Sequence, residues 1–249
     1  MDNPFISVRK YIKWGDEPRG ENTNTLVLTT RSKHYIDIRI HLPLPLPNDP
    51  SDATAINRLE WAFAGTCHST PAKLSRTGEL LKPAHTVWKH WVDSNNDGKE
   101  EVKDEGDMYP QSDGSVLEYG EMVNPARGRR MKYEECWEDV EARLVGVEEE
   151  FVSWILICDD EEGGRKGMLV RVGDVIQGLV RDGAGSRIVR WEWRAGENEE
   201  EEEWERTVGI GRLEVPGVLF EEGKRVEKGD ELMGSDGVDW VCVEAFEWS

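Results

Sequence analysis

The sequence predicts a mainly β protein built from two related antiparallel halves joined by a short helix, and three observations carry that reading. Residues 35–40, 59–63, 87–92, 168–172 and 240–246 form short β-branched or aromatic segments bounded by Gly, Pro, Asn and Asp, the punctuation of strands and turns. Only residues 131–144 show helical spacing, with Tyr133, Trp137, Val140 and Leu144 recurring on one side and acids on the other. Gly106-Asp107 followed by Ser112-Asp113-Gly114 recurs as Gly229-Asp230 followed by Ser235-Asp236-Gly237, and Glu121 matches Glu244 at the same offset. Glu60-Trp61 similarly matches Glu192-Trp193 across an insertion. Ser-Asp-Gly is also a common hairpin turn, so duplication competes with shared turn chemistry.

A chain of 249 residues accommodates two ordinary domains. The first is expected over residues 1–145, with the linker helix at about 131–144, and the second over residues 150–249. The formal charge of -20 repels phosphate backbones and anionic lipid, so nucleic acid and membrane surfaces are excluded as partners. The N-terminal residues alternate polar and apolar and lack the apolar run of a signal peptide. A soluble cytoplasmic protein, also compatible with the nucleus, is the expectation. Cys67, Cys136, Cys158 and Cys242 are widely spaced in or beside apolar segments, which reads as buried free thiols. Eleven tryptophans supply large rings, each with one N–H that needs a partner when buried.

Few motifs carry chemistry. Asp93-Ser-Asn95-Asn-Asp97-Gly98 matches the opening of a calcium loop, but Glu100 stands where such loops are apolar and strands flank it, so a polar hairpin is expected. The five histidines lack zinc-hydrolase spacing, and no phosphate-binding glycine loop or nucleophile elbow is present. No metal and no cofactor are therefore expected. Residues 42–47 have polyproline character, and the acid run 197–203 reads as a solvated hairpin tip.

What remains is Tyr35, Asp37 and Arg39, which alternate with Ile36, Ile38 and Ile40 and share one strand face. That face meets solvent or lines a wet pocket. In the pocket reading Trp14, Trp61, Phe63, Trp88 and His90 supply walls, with Arg171, Gln177 and Trp191 as weaker equivalents in the second half. Were the protein an enzyme, Asp37 would carry the proton, Arg39 would stabilise developing negative charge, and Glu60 or His85 would be the reserve acid–base group.

The run Ile6-Ser-Val-Arg-Lys-Tyr-Ile-Lys-Trp14, then Thr25-Leu-Val-Leu-Thr-Thr30, Leu59-Glu-Trp-Ala-Phe-Ala-Gly65, Asp104-Glu-Gly-Asp-Met-Tyr-Pro110, Val116-Leu-Glu-Tyr-Gly-Glu-Met-Val-Asn-Pro125 and Tyr133-Glu-Glu-Cys-Trp137 resembles the fungal Hri-one family. The resemblance continues to Arg171-Val-Gly173 and Gln177-Gly178, so it spans nearly the whole chain. It implies two similar lipocalin-like β-barrels and no established reaction. The family is named for interaction of its yeast member with a casein kinase I, which the resemblance offers as a protein partner. Three functions follow as expectations: a barrel binding a hydrophobic small molecule, a cofactor-independent cyclase, isomerase or dehydratase of fungal polyketide or terpenoid secondary metabolism, and a kinase-associated scaffold. Ligand binding is preferred.

Overall fold

A computed structural model describes residues 3–44, 54–96, 101–124, 126–183, 185–195, 202–221 and 224–249, so the acid run over 197–201 and the proline stretch from 45 onward lie outside the described residues. The first ten strands are β1 (Phe5–Trp14), β2 (Thr23–Thr29), β3 (His34–His41), β4 (Leu59–Thr70), β5 (Lys73–Leu74), β6 (Leu80–Lys82), β7 (Ala84–Asp93), β8 (Lys103–Pro110), β9 (Val116–Asn124) and β10 (Arg129–Val140). Eight of them form a closed antiparallel barrel in the cyclic order β1-β2-β3-β4-β7-β8-β9-β10, while β5 and β6 make a small side hairpin. Closure comes from β10, which returns to pair with β1 from Ile6 opposite Val140 to Trp14 opposite Tyr133.

The remaining strands are β11 (Phe151–Asp160), β12 (Arg165–Val172), β13 (Val175–Asp182), β14 (Gly185–Ala195), β15 (Glu202–Ile210), β16 (Glu231–Met233) and β17 (Asp239–Trp248). They form one seven-stranded antiparallel sheet in the order β15-β14-β13-β12-β11-β17-β16. In both halves the first strand lies between the second and the last, as β1 lies between β2 and β10 and β11 between β12 and β17.

Three expectations need correction. Of the segment read as a helix over 131–144, residues 131–140 belong to strand β10 and residues 141–144 to no regular element. Tyr133 and Trp137 are four residues apart, a spacing that puts two side chains on one face in either period, and the discriminating residues are Val140 and Leu144. Both are exposed, so the helical stripe does not exist. Among the described residues the only helices are single 3-10 turns, Ala55–Arg58 and Gly217–Phe220. The second barrel does not close either: β15 and β16 are sheet edges among the described residues. The chain between them buries Leu213, Val215 and Leu219 in one apolar cluster with Trp154, Leu169, Ile176 and Trp240 of the sheet, and Pro216 in that stretch has no N–H to offer a ladder. Finally, the Ser-Asp-Gly repeat falls on the β8–β9 and β16–β17 turns, yet β17 pairs with the first strand of its half, as β10 rather than β9 does. The repeated motif therefore marks hairpins at non-equivalent places.

The largest apolar cluster belongs to neither half alone. It joins Leu26, Leu28, Ile36, Ile38, Ile40, Ala62 and Ala64 of the barrel wall to Ile155, Met168, Val170, Val172, Leu179, Ile188 and Val208 of the sheet. Strands β2, β3 and β4 thus turn one face outward onto the sheet, whose opposite face packs a separate cluster around Trp154, Leu169, Ile176 and Trp240. Two buried polar side chains cross the seam. Gln177 Nε2 donates to the carbonyls of Leu26 and Ile36 at 3.1 and 3.2 Å. Arg190, fully buried, donates to the Ile38 carbonyl at 3.1 Å, to Gln177 Oε1 at 2.8 Å and to Asn24 Oδ1. Burial lowers the Arg190 pKa to about 10, with no carboxylate in ion-pair contact to offset it among the described residues.

Because the seam holds the main core, the two halves are expected to unfold as one unit. Ile38→Ala should cost about 2–4 kcal/mol and lower the melting of the barrel and the sheet together. Calorimetry with tryptophan fluorescence checks this: two separated transitions, with only one moved by the substitution, would refute it.

Candidate functional site

Inside the barrel, alternate residues of every strand face inward, and they leave a cavity of about 260 Å³. Its walls are aromatic and sulfur-bearing, from Phe63 on β4, Trp88 on β7, Met108 on β8, Met122 on β9 and Tyr133 and Trp137 on β10. Tyr35, Asp37 and Arg39 of β3 also line it, and all three are buried. Facing them from the other strands are Asp104, Glu118, Glu135 and Asp139.

The floor is a charge network. Arg9 Nη1 donates to Glu135 Oε1 at 2.6 Å, and the same guanidinium donates to Glu21 at 2.7 Å and to Thr23 at 3.0 Å. Arg39 donates through Nε and Nη2 to Asp37 Oδ2 at 3.0 and 2.8 Å and reaches Glu135 at 3.5 Å. Its guanidinium lies over the rings of Trp61 and Phe63 at 5.4 and 5.2 Å. Burial pushes the Asp37 pKa up, partly offset by Arg39. Asp37 Oδ1 and the Tyr35 hydroxyl have no hydrogen-bond partner among the described residues. A buried polar atom left in that state is destabilising by roughly 1–3 kcal/mol, so both atoms favour a bound partner.

Glu118 sits apart from that network. Its Oε1 accepts from the Tyr133 hydroxyl at 2.6 Å and its Oε2 from Trp137 Nε1 at 2.9 Å. Burial, reinforced by the charge of Glu135, raises its pKa to about 8, and it forms no ion pair among the described residues. Glycines make the space it occupies. Gly106 and Gly120 stand opposite each other on β8 and β9. A Cβ on Gly106 would lie 2.6 Å from Glu118 Cγ, and one on Gly120 would lie 2.3 Å from the Tyr133 hydroxyl.

A second buried group lies behind the wall. His90 stacks on Phe63 with ring centroids 4.2 Å apart, and its Nδ1 is 2.7 Å from Asp93 Oδ2. Nε2 is 3.3 Å from Asp104 Oδ2, without hydrogen-bond alignment. Burial disfavours the imidazolium, but Asp104 and Asp93 outweigh it and raise the pKa. The Asp93 carboxylate is fully engaged, since Oδ1 accepts from Trp61 Nε1 and from the Asn95 amide. The first position of the suspected calcium loop is thereby spoken for, and residues 97–100 of that loop lie outside the described residues.

The expected site residues separate into three groups. Tyr35, Asp37, Arg39, Phe63 and Trp88 line the cavity. Trp14 packs edge-on against Tyr133 at 6.0 Å, Trp61 packs on Phe63 at 4.5 Å, Glu60 approaches Arg9 at 3.7 Å, and His90 backs Phe63, so these four support the site from behind. The others lie elsewhere. His85 pairs with Asp107 at 2.8 Å on the outer face of β7, and Gln177 is spent on the seam. Arg171 pairs with Glu148 at 2.7 Å, and Trp191 packs on Phe220 at 4.9 Å. Sequence reasoning missed Glu118, Tyr133, Glu135 and Trp137. The alternation Tyr133, Glu135, Trp137, Asp139 was the available signal, and the helical reading of that segment concealed it.

The sequence profile of the family described as Protein HRI1 matches residues 5–244. No curated protein sequence matches the chain. Among solved structures, the crystal structure of the uncharacterized protein YLR301w from Saccharomyces cerevisiae is similar over 98% of this chain and 100% of that one, with a TM-score of 0.68 and 20% identity.

The raised pKa of Glu118 has a sign. Between the usual glutamate range and about 8 the folded protein holds a proton that the unfolded chain has released, so stability falls as pH rises through that window. Glu118→Gln cannot lose that proton. Relative to the unsubstituted protein it should gain on the order of 1–3 kcal/mol between pH 5 and pH 8.5 in urea denaturation. A difference that does not change with pH would show that Glu118 is ionised in the fold.

Proposed function

The chain is a member of the HRI1 protein family, and from the geometry of its barrel we propose that it is a binding protein that holds one small, largely apolar organic molecule. The observation that carries this reading is a cavity with aromatic and methionine walls that contains two buried, unpartnered polar atoms, Tyr35 Oη and Asp37 Oδ1. Ligand sites are mostly apolar with a few convergent polar groups, and small antiparallel barrels hold one ligand in this way. At about 260 Å³ the space is just below the range of drug-sized pockets. A single-ring compound fits, and an extended polyketide does not. We read the two halves as descendants of one ancestral barrel, on the strength of the shared first-strand topology. In this reading the second half serves as the outer wall of the first.

A cofactor-independent isomerase or lyase is the second reading, favoured by one observation. Glu118 holds its proton up to about pH 8 inside an aromatic site, the property required of a general acid at neutral pH. It then replaces Asp37 as the proton carrier, since one Asp37 oxygen is already held by two N–H groups of Arg39. Docking to a casein kinase I is compatible with either reading and would use the acidic outer surface.

The test is a titration of the full-length protein with 2-phenylethanol followed by tryptophan fluorescence. Binding in the range of about 0.1–1 mM is expected, a normal efficiency for a ligand of that size. Val27→Phe, which fills the cavity from β2, should remove binding while the circular dichroism spectrum is retained. Binding unaffected by Val27→Phe, or no binding at concentrations about tenfold above that range, would overturn the proposal.

A further inference from the structure

We propose that the barrel cavity selects small arylalkyl amines, the ammonium group lying between Asp37 on one wall and Glu118 on the other with the aromatic body against Phe63, Trp88 and Trp137. The inference rests on the cavity being a ligand site and adds the charge and donor pattern of the ligand.

The first support is topological. In the cyclic order of the eight strands, β3 and β9 are four positions apart in both directions, so Asp37 and Glu118 project from opposite walls toward the same space. The second is the pattern of unfilled hydrogen-bonding capacity. Asp37 Oδ1, when ionised, is a pure acceptor with no donor among the described residues, and the hydroxyl of Tyr35, on the same face of β3, is also unpartnered there. An ammonium group supplies three donors and no acceptor, whereas a carboxylate ligand could use the Tyr35 hydroxyl as a donor but would face the carboxyl groups of the wall.

The third is charge. The cavity wall carries five carboxyl groups, Asp37, Asp104, Glu118, Glu135 and Asp139, against Lys33 and Arg39. Arg9 stands directly behind Glu135 and His90 behind Asp104. The cations are already engaged: Arg39 by Asp37 and Glu135, Arg9 by Glu135 and Glu21, and Lys33 lies at the mouth near the Phe5 ring. Among the described residues neither Glu118 nor Asp139 has a cation in ion-pair contact, and of the two Asp139 is exposed, while Glu118 is buried, held by Tyr133 and Trp137. An entering ammonium group would complete its pair, and rings beside a cation add further attraction. Glu118 holds its proton at neutral pH in the empty site, so amine binding should expel that proton as the carboxylate forms.

Calorimetric titration of the full-length protein at pH 7 with phenethylamine, 2-phenylethanol and phenylacetate separates the outcomes, because the three share one ring and differ at the end group. Phenethylamine is expected to bind at least about tenfold tighter than the alcohol, with phenylacetate weakest. Repeating the amine titration in buffers of different ionisation enthalpy should show proton release approaching one per ligand bound. Glu118→Gln should weaken the amine by about tenfold more than the alcohol and suppress the proton release. Where that variant does not fold, the proton count of the unsubstituted protein decides. An alcohol that binds as tightly as the amine would leave the cavity as a ligand site and overturn the amine inference. Tight amine binding without proton release would remove Glu118 as the counter-ion and overturn it equally. Failure of all three compounds would bring down both this inference and the binding function beneath it.

Discussion

Strand β3 has no solvent face, and that constraint organises the molecule. Ile36, Ile38 and Ile40 project outward into the seam with the second sheet, while Tyr35, Asp37 and Arg39 project inward to the cavity. Each face limits the other. A charged triplet can be buried on one side only if the strand is held rigidly enough for Arg39 to meet Asp37 and Glu135 together, and the apolar seam provides that rigidity. Gln177 and Arg190 secure the same strand by donating to carbonyls of Ile36 and Ile38. The second half therefore contributes to the cavity without lining it.

The strands of the first half were legible because their alternation is strong and their turns are marked. Residues 35–40 show this well: the period-2 pattern was visible, and the choice between solvent and pocket for its polar face was not, since both environments accept Tyr, Asp and Arg. Only tertiary packing distinguishes them, through an isoleucine face that also had to be covered. Strand β10 was illegible for another reason. Glu134, Glu135, Glu138 and Asp139 give it the composition of an amphipathic helix, and the fold overrides that propensity because β10 alone can close the barrel onto β1. With β10 misread, Tyr133, Glu135, Trp137 and Asp139 could not be seen as one wall of the cavity.

The second half illustrates the limit of repeat arguments. Its topology does follow the first, but the turn motif that suggested a repeat lies on hairpins that do not correspond. Turn chemistry is dictated by local backbone needs, such as the left-handed conformation of Gly114 and Gly237, and it recurs wherever a tight hairpin does. Order of strand pairing is the more durable signal, and no single sequence exposes it.

Gly106 and Gly120 face each other across two strands, and the space they leave is filled by Glu118 and Tyr133. These four positions are consequently coupled by their packing. A side chain at Gly120 requires the Tyr133 ring to move and the Glu105 carbonyl to give way, since its Cβ would lie 2.5 Å from Tyr133 Cζ and 2.7 Å from the Glu105 oxygen, and moving that ring deprives Glu118 of a hydrogen-bond partner. Adding a side chain at either glycine while Glu118 and Tyr133 stay in place therefore meets a steric clash. The two glycines are thus the positions least free to change for as long as Glu118 and Tyr133 keep their places.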